Sequence, residues 1–143
     1  MLKMYNTEVT TNKTVVTEEF KKGNWINMVS PSEDEIKLVC KNVGIAEDFI
    51  RYALDYEEKA RIDFEEDDNT ILFIIDIPIM ENEAGSKVYS TMPIGVIFVR
   101  DDYLITVSLT KNYIIENLEK SKSIVTYKKS RFLLQIFYAN AER

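Results

Sequence analysis

Oxygen ligands are the densest chemistry in this chain. Between Asp55 and Asp68 the run DYEEKARIDFEEDD places eight carboxylates in fourteen residues, opposed only by Lys59 and Arg61. Hard divalent cations such as Mg2+ and Ca2+ take donors of this kind, so a weak metal site is one reading of the run. The other is a solvated helix end followed by a hairpin turn, and the D-x-[DN]-x-[DN]-G spacing of an EF-hand loop is absent. The rest of the inventory narrows the chemistry further. There is no histidine, the single cysteine Cys40 falls on an apolar stripe, and neither a Gly-rich phosphate loop nor a Ser-based elbow occurs. Any bound metal is therefore expected to be oxygen-ligated, and nothing here assembles the acid–base or nucleophilic groups of an enzyme.

Charge and composition bound the partners. Twenty-four acidic against eighteen basic residues leave a net charge of −6, which argues against nucleic acid, since phosphate binding rests on clustered Lys and Arg. Lys128, Lys129 and Arg131 are too few to change that, or to hold a lipid surface. One cysteine forms no internal disulfide and suits a reducing compartment. No basic stretch leading into an apolar run opens the chain, and the longest clean apolar run, Ile71 to Ile75, is far short of the ~20 residues that span a bilayer. A chain of 143 residues reads most simply as one soluble domain with an ordinary core.

The elements that must position these groups follow from periodicity. LKMYNTEV, KTVVTEEF and NWINMV read as three short strands, with Trp25 of the third expected in the core. SPSEDEIKLVCKNVG then reads as a helix with Ser30 as N-cap, Pro31 at the first position, Glu33 closing a capping box and Gly44 as the left-handed stop. Ile36, Val39, Cys40 and Val43 form its buried stripe. A second helix is expected over AEDFIRYALD, packing through Phe49, Ile50, Ala53 and Leu54. From Arg61 the period becomes two: RIDF, TILFIIDIPI, KVYSTMPIGVIFV and YLITVSL, joined by polar turns, form an antiparallel meander. Asp76 shares a face with Leu72 and Ile74, and Pro78 just beyond it marks an edge or strand end, so its carboxylate is expected to point outward. Helices return in NYIIENLEK and from Ser130, where Phe132, Leu133, Ile136 and Phe137 line one side and no stop signal precedes Arg143. The helix is expected to run on. The fold class is α+β: a mixed, largely antiparallel sheet of six to seven strands covered by helices as an αβα sandwich.

Four blocks in this order and spacing carry a resemblance: WINMVSPSEDEIKLVCKNVGIAEDFIRYALD, RIDFEEDDNTILFIIDIPI, PIGVIFVRDDYLITV and YKKSRFLLQIFYANAER. Their succession resembles the amino-terminal cytoplasmic domain of the CorA family of magnesium/cobalt-type divalent-cation transporters. The family's Gly-Met-Asn motif and its two transmembrane helices are not among these residues. The resemblance implies that residues 1–143 are a single cytoplasmic regulatory domain, ahead of a stalk and membrane helices, at the cytoplasmic face of the cell membrane. It also implies a homopentamer forming a cytoplasmic funnel, with membrane contact only through the C-terminal part, and regulatory Mg2+ bound weakly between subunits to hold the channel closed. Aligned on Gly44 and Ile45, the family's metal-binding Asp falls at Tyr52. Asp48 and Asp55, about one turn to either side, are the candidate metal ligands this leaves. The alternative is a self-standing acidic α+β interaction module with no part in transport.

Overall fold

The computed structural model describes residues 1–121 and 124–141. Seven strands and four helices run in the order β1 (Leu2–Thr7), β2 (Thr14–Thr17), β3 (Asn24–Val29), α1 (Glu33–Val43), α2 (Glu47–Tyr52), β4 (Arg61–Glu65), β5 (Thr70–Glu83), β6 (Ser86–Val99), β7 (Tyr103–Ser108), α3 (Tyr113–Lys120) and α4 (Lys129–Ala141). The strands form one sheet in the order β2-β1-β3-β7-β6-β5-β4. Among the described residues only β3 and β7 pair in parallel, so the sheet is mixed and largely antiparallel, as the periodicity implies. Residues 142–143, and with them the expected run of the last helix past Arg143, lie outside the described residues.

Each sheet face carries its own apolar layer. On one face Ile36, Val39, Val43, Ile50 and Ala53 of the α1–α2 pair meet Ile26, Met28, Leu72, Ile74, Ile97 and Ile105. On the other, Ile114, Ile115 and Leu118 of α3 with Phe132 and Ile136 of α4 meet Trp25, Ile77, Met92, Ile94, Val96 and Leu104. Alternation along β5 explains the split, because Leu72 and Ile74 point one way while Ile75 and Ile77 point the other. Trp25 is a core residue: it stacks on Tyr5 at 4.9 Å, meets Phe132 edge-on at 4.7 Å, and its indole N–H donates to Thr106 Oγ1 at 2.8 Å. The buried thiol of Cys40 is held in the protonated form, pushed up to about 11 first by burial and then by the Glu47 carboxylate.

Three local features differ from the sequence reading. The α1 N-cap is Ser32, not Ser30: its hydroxyl accepts from Glu35 N at 3.2 Å, and Glu35 accepts from Ser32 N at 2.9 Å. Both Ser30–Glu33 and Ser32–Glu35 have the box spacing. The second is selected because Ser30 is drawn into a left-handed turn (φ 44°), where its N–H donates to Ser108 O, and because the Met1 amino group joins Glu35 at 3.2 Å. The second helix stops at Tyr52. The N–H groups of Leu54 and Asp55 fold back to Arg51 O and Tyr52 O in tightened turns, and the Asp55 carboxylate accepts from Glu57 N, competing with helix continuation. Finally, the strands expected over TILFIIDIPI and KVYSTMPIGVIFV extend on to Glu83 and back to Ser86, leaving a two-residue turn at Ala84 and Gly85 with φ of 49° and 81°. Of the two placements expected for Pro78, an edge or a strand end, the structure shows the edge. Pro78 pairs opposite Thr91 beyond the reach of β4, on a stretch of strand that is an edge on that side.

Candidate functional site

The two candidate ligands are placed by different elements. Asp48 lies in the first turn of α2 with Glu47, where carboxylates are favoured by the helix dipole, and it is exposed. Asp55 lies beyond the helix in the turn toward β4, with its carboxylate engaged by the Glu57 N–H at 3.0 Å. They therefore do not share a helical face. The sequence grouped Asp55 with the acids that follow it, whereas the fold brings Asp48 to them instead.

A groove of about 450 Å³ runs between α2 and β4, lined by Asp48 and Tyr52 on one wall and by Asp63, Glu65 and Asp68 on the other. The strand pattern makes this wall: Arg61, Asp63 and Glu65 alternate onto the α1–α2 face of β4, while Ile62 and Phe64 take the opposite face. Arg61 is the counter-charge. Its guanidinium bonds Asp63 at 2.7 Å, pairs with Glu58, and sits over the Tyr52 ring at 5.0 Å. Sequence reasoning noted Arg61 only as a charge opposing the acidic run. The signal that locates it is its period-two register with Asp63.

Tyr52 thus stands where the resemblance implies an aspartate, partly exposed and capped by a cation. Among the described residues, no group of three or more Cys, Asp or Glu side chains is close enough together to enclose a metal ion. The groove is an open acidic surface rather than a cage. Such a surface suits a hydrated cation held through one or two carboxylates, the usual mode of Mg2+. Arg51 of α2 also bonds Glu33 of α1 at 3.1 and 2.6 Å, which holds the carboxyl of Glu33 below its usual range.

Fold and site together define an αβα domain with a seven-stranded mixed sheet and an acid-lined groove on one flank. The family model for CorA-like Mg2+ transporter proteins matches residues 20–143. The chain belongs to that family, and it is the family's amino-terminal domain. The cobalt/magnesium transport protein CorA of Methanocaldococcus jannaschii is 27% identical over 111 residues, which is 78% of this chain and 32% of that protein. The chain thus spans about a third of its curated relative. Among solved structures, the complete CorA magnesium transporter of M. jannaschii superposes with a TM-score of 0.76 at 22% identity, over 99% of this chain and 44% of that one. Its soluble domain gives 0.77 at 21% identity, over 99% and 56%. The ZntB cytoplasmic domain of Vibrio parahaemolyticus gives 0.74 at 14% identity, over 98% and 57%. At these identities the structures share the fold. Among the described residues no helix is long and apolar enough to cross a membrane.

Proposed function

We propose that this chain is the amino-terminal cytoplasmic regulatory domain of a CorA-like Mg2+ transporter, acting in a homopentamer whose stalk and membrane helices lie C-terminal to it. The observation that carries the reading is the match to the family model from residue 20 to residue 143, on a fold shared with the CorA soluble domain. The function is regulatory rather than catalytic. The acidic flank contributes to gating by drawing cytosolic Mg2+ to the boundary between neighbouring subunits, where the cation relieves repulsion between carboxylates and favours the closed assembly. Asp48 and Asp55 are the proposed contributors from this domain, and the isolated chain supplies only half of such a site.

Titrating Mg2+ into the 143-residue chain while following backbone amide shifts tests the metal part. The expected result is binding no tighter than millimolar, with shifts around Asp48 and Asp55 that disappear in Asp48→Asn and Asp55→Ala. Shifts confined to residues 65–68 and unchanged by either substitution would reduce the effect to nonspecific attraction. The transport part is tested on the complete gene product. Two apolar stretches of ~20 residues with a Gly-Met-Asn motif and Mg2+ uptake into vesicles support it, and a reading frame closing after Arg143 overturns it.

A further inference from the structure

The strand β4 carries its apolar side chains on the wrong face for the helices it has. Ile62 and Phe64 register opposite Phe73 and Ile71 on the α3–α4 side of the sheet, yet they remain 68% and 58% exposed. The polar Arg61, Asp63 and Glu65 instead face α2. Following one row across the sheet makes the gap visible. Phe64, Ile71, Phe98, Leu104 and Trp25 are successive partners, and burial is complete at Leu104 and Trp25 but falls away through Phe98 and Ile71 to Phe64. Helices α3 and α4 therefore cover the centre of this face and the Ile75–Ile77 stretch of β5, and stop short of β4 and of Ile71 and Phe73 in the part of β5 that pairs with it. A cleft of about 680 Å³ marks the boundary, lined by Ile71 and Phe98 and, at the start of α4, by Lys128 and Arg131.

The bare strip is two strands wide, about 10 Å, which is the width of one packed helix. A strand with a clean period-two pattern specifies a covered apolar face, and exposed apolar edges left open invite aggregation. Resting on the proposed function above, we infer that this strip is the seat of an amphipathic helix supplied by the part of the same protein that follows α4. Chain length supports that occupant: the solved CorA soluble domain shares this fold, and the present chain spans only 56% of it. The occupant presents an i, i+3/i+4 apolar stripe to Ile62, Phe64, Phe73 and Phe98, and acidic residues to Lys128 and Arg131 at the cleft.

Thiol labelling of Ile62→Cys and, separately, Phe64→Cys tests this, with the unsubstituted protein as control for the buried Cys40. In the 143-residue chain both thiols are expected to label at the rate of an exposed cysteine, independent of protein concentration. In the complete gene product both are expected to slow at least tenfold, and to stay slow on dilution. Equal labelling in the two lengths overturns the inference. So does protection already present in the shorter chain that vanishes on dilution, since a second copy would then be the cover. Mg2+ uptake by the same complete product reads the transporter assignment separately. Uptake with both thiols freely labelled removes the helix seat alone, and protection without uptake removes the transport reading alone.

Discussion

Individual side chains decide how α1 begins. Two Ser-x-x-Glu boxes overlap in SPSEDE, and only Ser32 uses its hydroxyl as the cap. Ser32→Ala is therefore expected to cost about 1 kcal/mol in urea unfolding, whereas Ser30→Ala is expected to cost only a few tenths. Equal effects at the two positions would show that the cap migrates. Glu35 adds a pH dependence. Its carboxyl is held below the ordinary 4.5, first by the hydrogen bond from the Ser32 N–H and then by the Met1 amino group, with burial opposing. A lowered folded value contributes stability that is fully present above pH 4.5 and is lost as pH falls through that lower value. Glu35→Gln should therefore be less stable than the natural protein at pH 7 by roughly 0.5 kcal/mol, and the difference should close as pH falls through the lowered folded value. A difference that does not shrink anywhere on acidification would assign the effect to packing rather than charge.

At the scale of elements, the placement of α2 against the sheet rests on a missing side chain. Gly95 of β6 lies on the α1–α2 face opposite Ala53, the C-cap of α2, and a Cβ at Gly95 would come within 2.6 Å of the Ala53 Cβ. Neither atom belongs to a flexible chain end that can swing away. Gly95→Ala is expected to destabilise by about 1–3 kcal/mol through overpacking, and Ala53→Gly in the same protein to recover part of that loss. Thermal unfolding of the two single variants and the double variant measures the coupling, and strictly additive losses would contradict the contact. Because α2 carries Asp48 and Tyr52, the Gly95→Ala variant should also move the groove's α2 wall. The amide shifts of Asp48 and Tyr52 report on that without any metal present.

At the scale of the whole molecule, the two faces of the sheet are unequal. The α1–α2 side closes over β5, burying Leu72 and Ile74 completely, while the α3–α4 side leaves β4 and β5 partly bare. Asp76 is exposed on the α1–α2 side, where β5 runs on past β4 and the covered rows end at Ile74. This asymmetry separates two surfaces by chemistry: an acidic groove between α2 and β4, the proposed site of a hydrated cation, and an apolar strip on the opposite side of β4, the proposed seat of a helix. Substitutions on one are expected to leave the other unaffected. Asp48→Asn should change Mg2+ shifts but not the labelling of a cysteine at Ile62, and cross-effects in that pair would indicate that the edge strand moves as a unit.

Much of this was legible from the amino-acid string, because strand and helix periods are local properties. The seven strands, the four helices, the buried roles of Trp25 and Cys40, and the αβα arrangement all follow from alternation, stripes and turn residues. The positions that escaped are those where two local solutions were nearly equal or where partners lie far apart in sequence. Ser32 over Ser30 was decided by the Met1 amino group and by Ser108, residues distant in the chain. The end of α2 at Tyr52 was decided between two local solutions, helix continuation and the turn closed by the Asp55 carboxylate, whereas the meeting of Asp48 rather than Asp55 with Asp63, Glu65 and Asp68 in one groove and the cation over Tyr52 were decided by how β4 docks beside α2. Side-chain type and spacing determine which groups each element offers, but only packing of the elements determines which of those groups meet, since a Coulomb or hydrogen-bond contact depends on distances of a few ångströms that no sequence separation encodes.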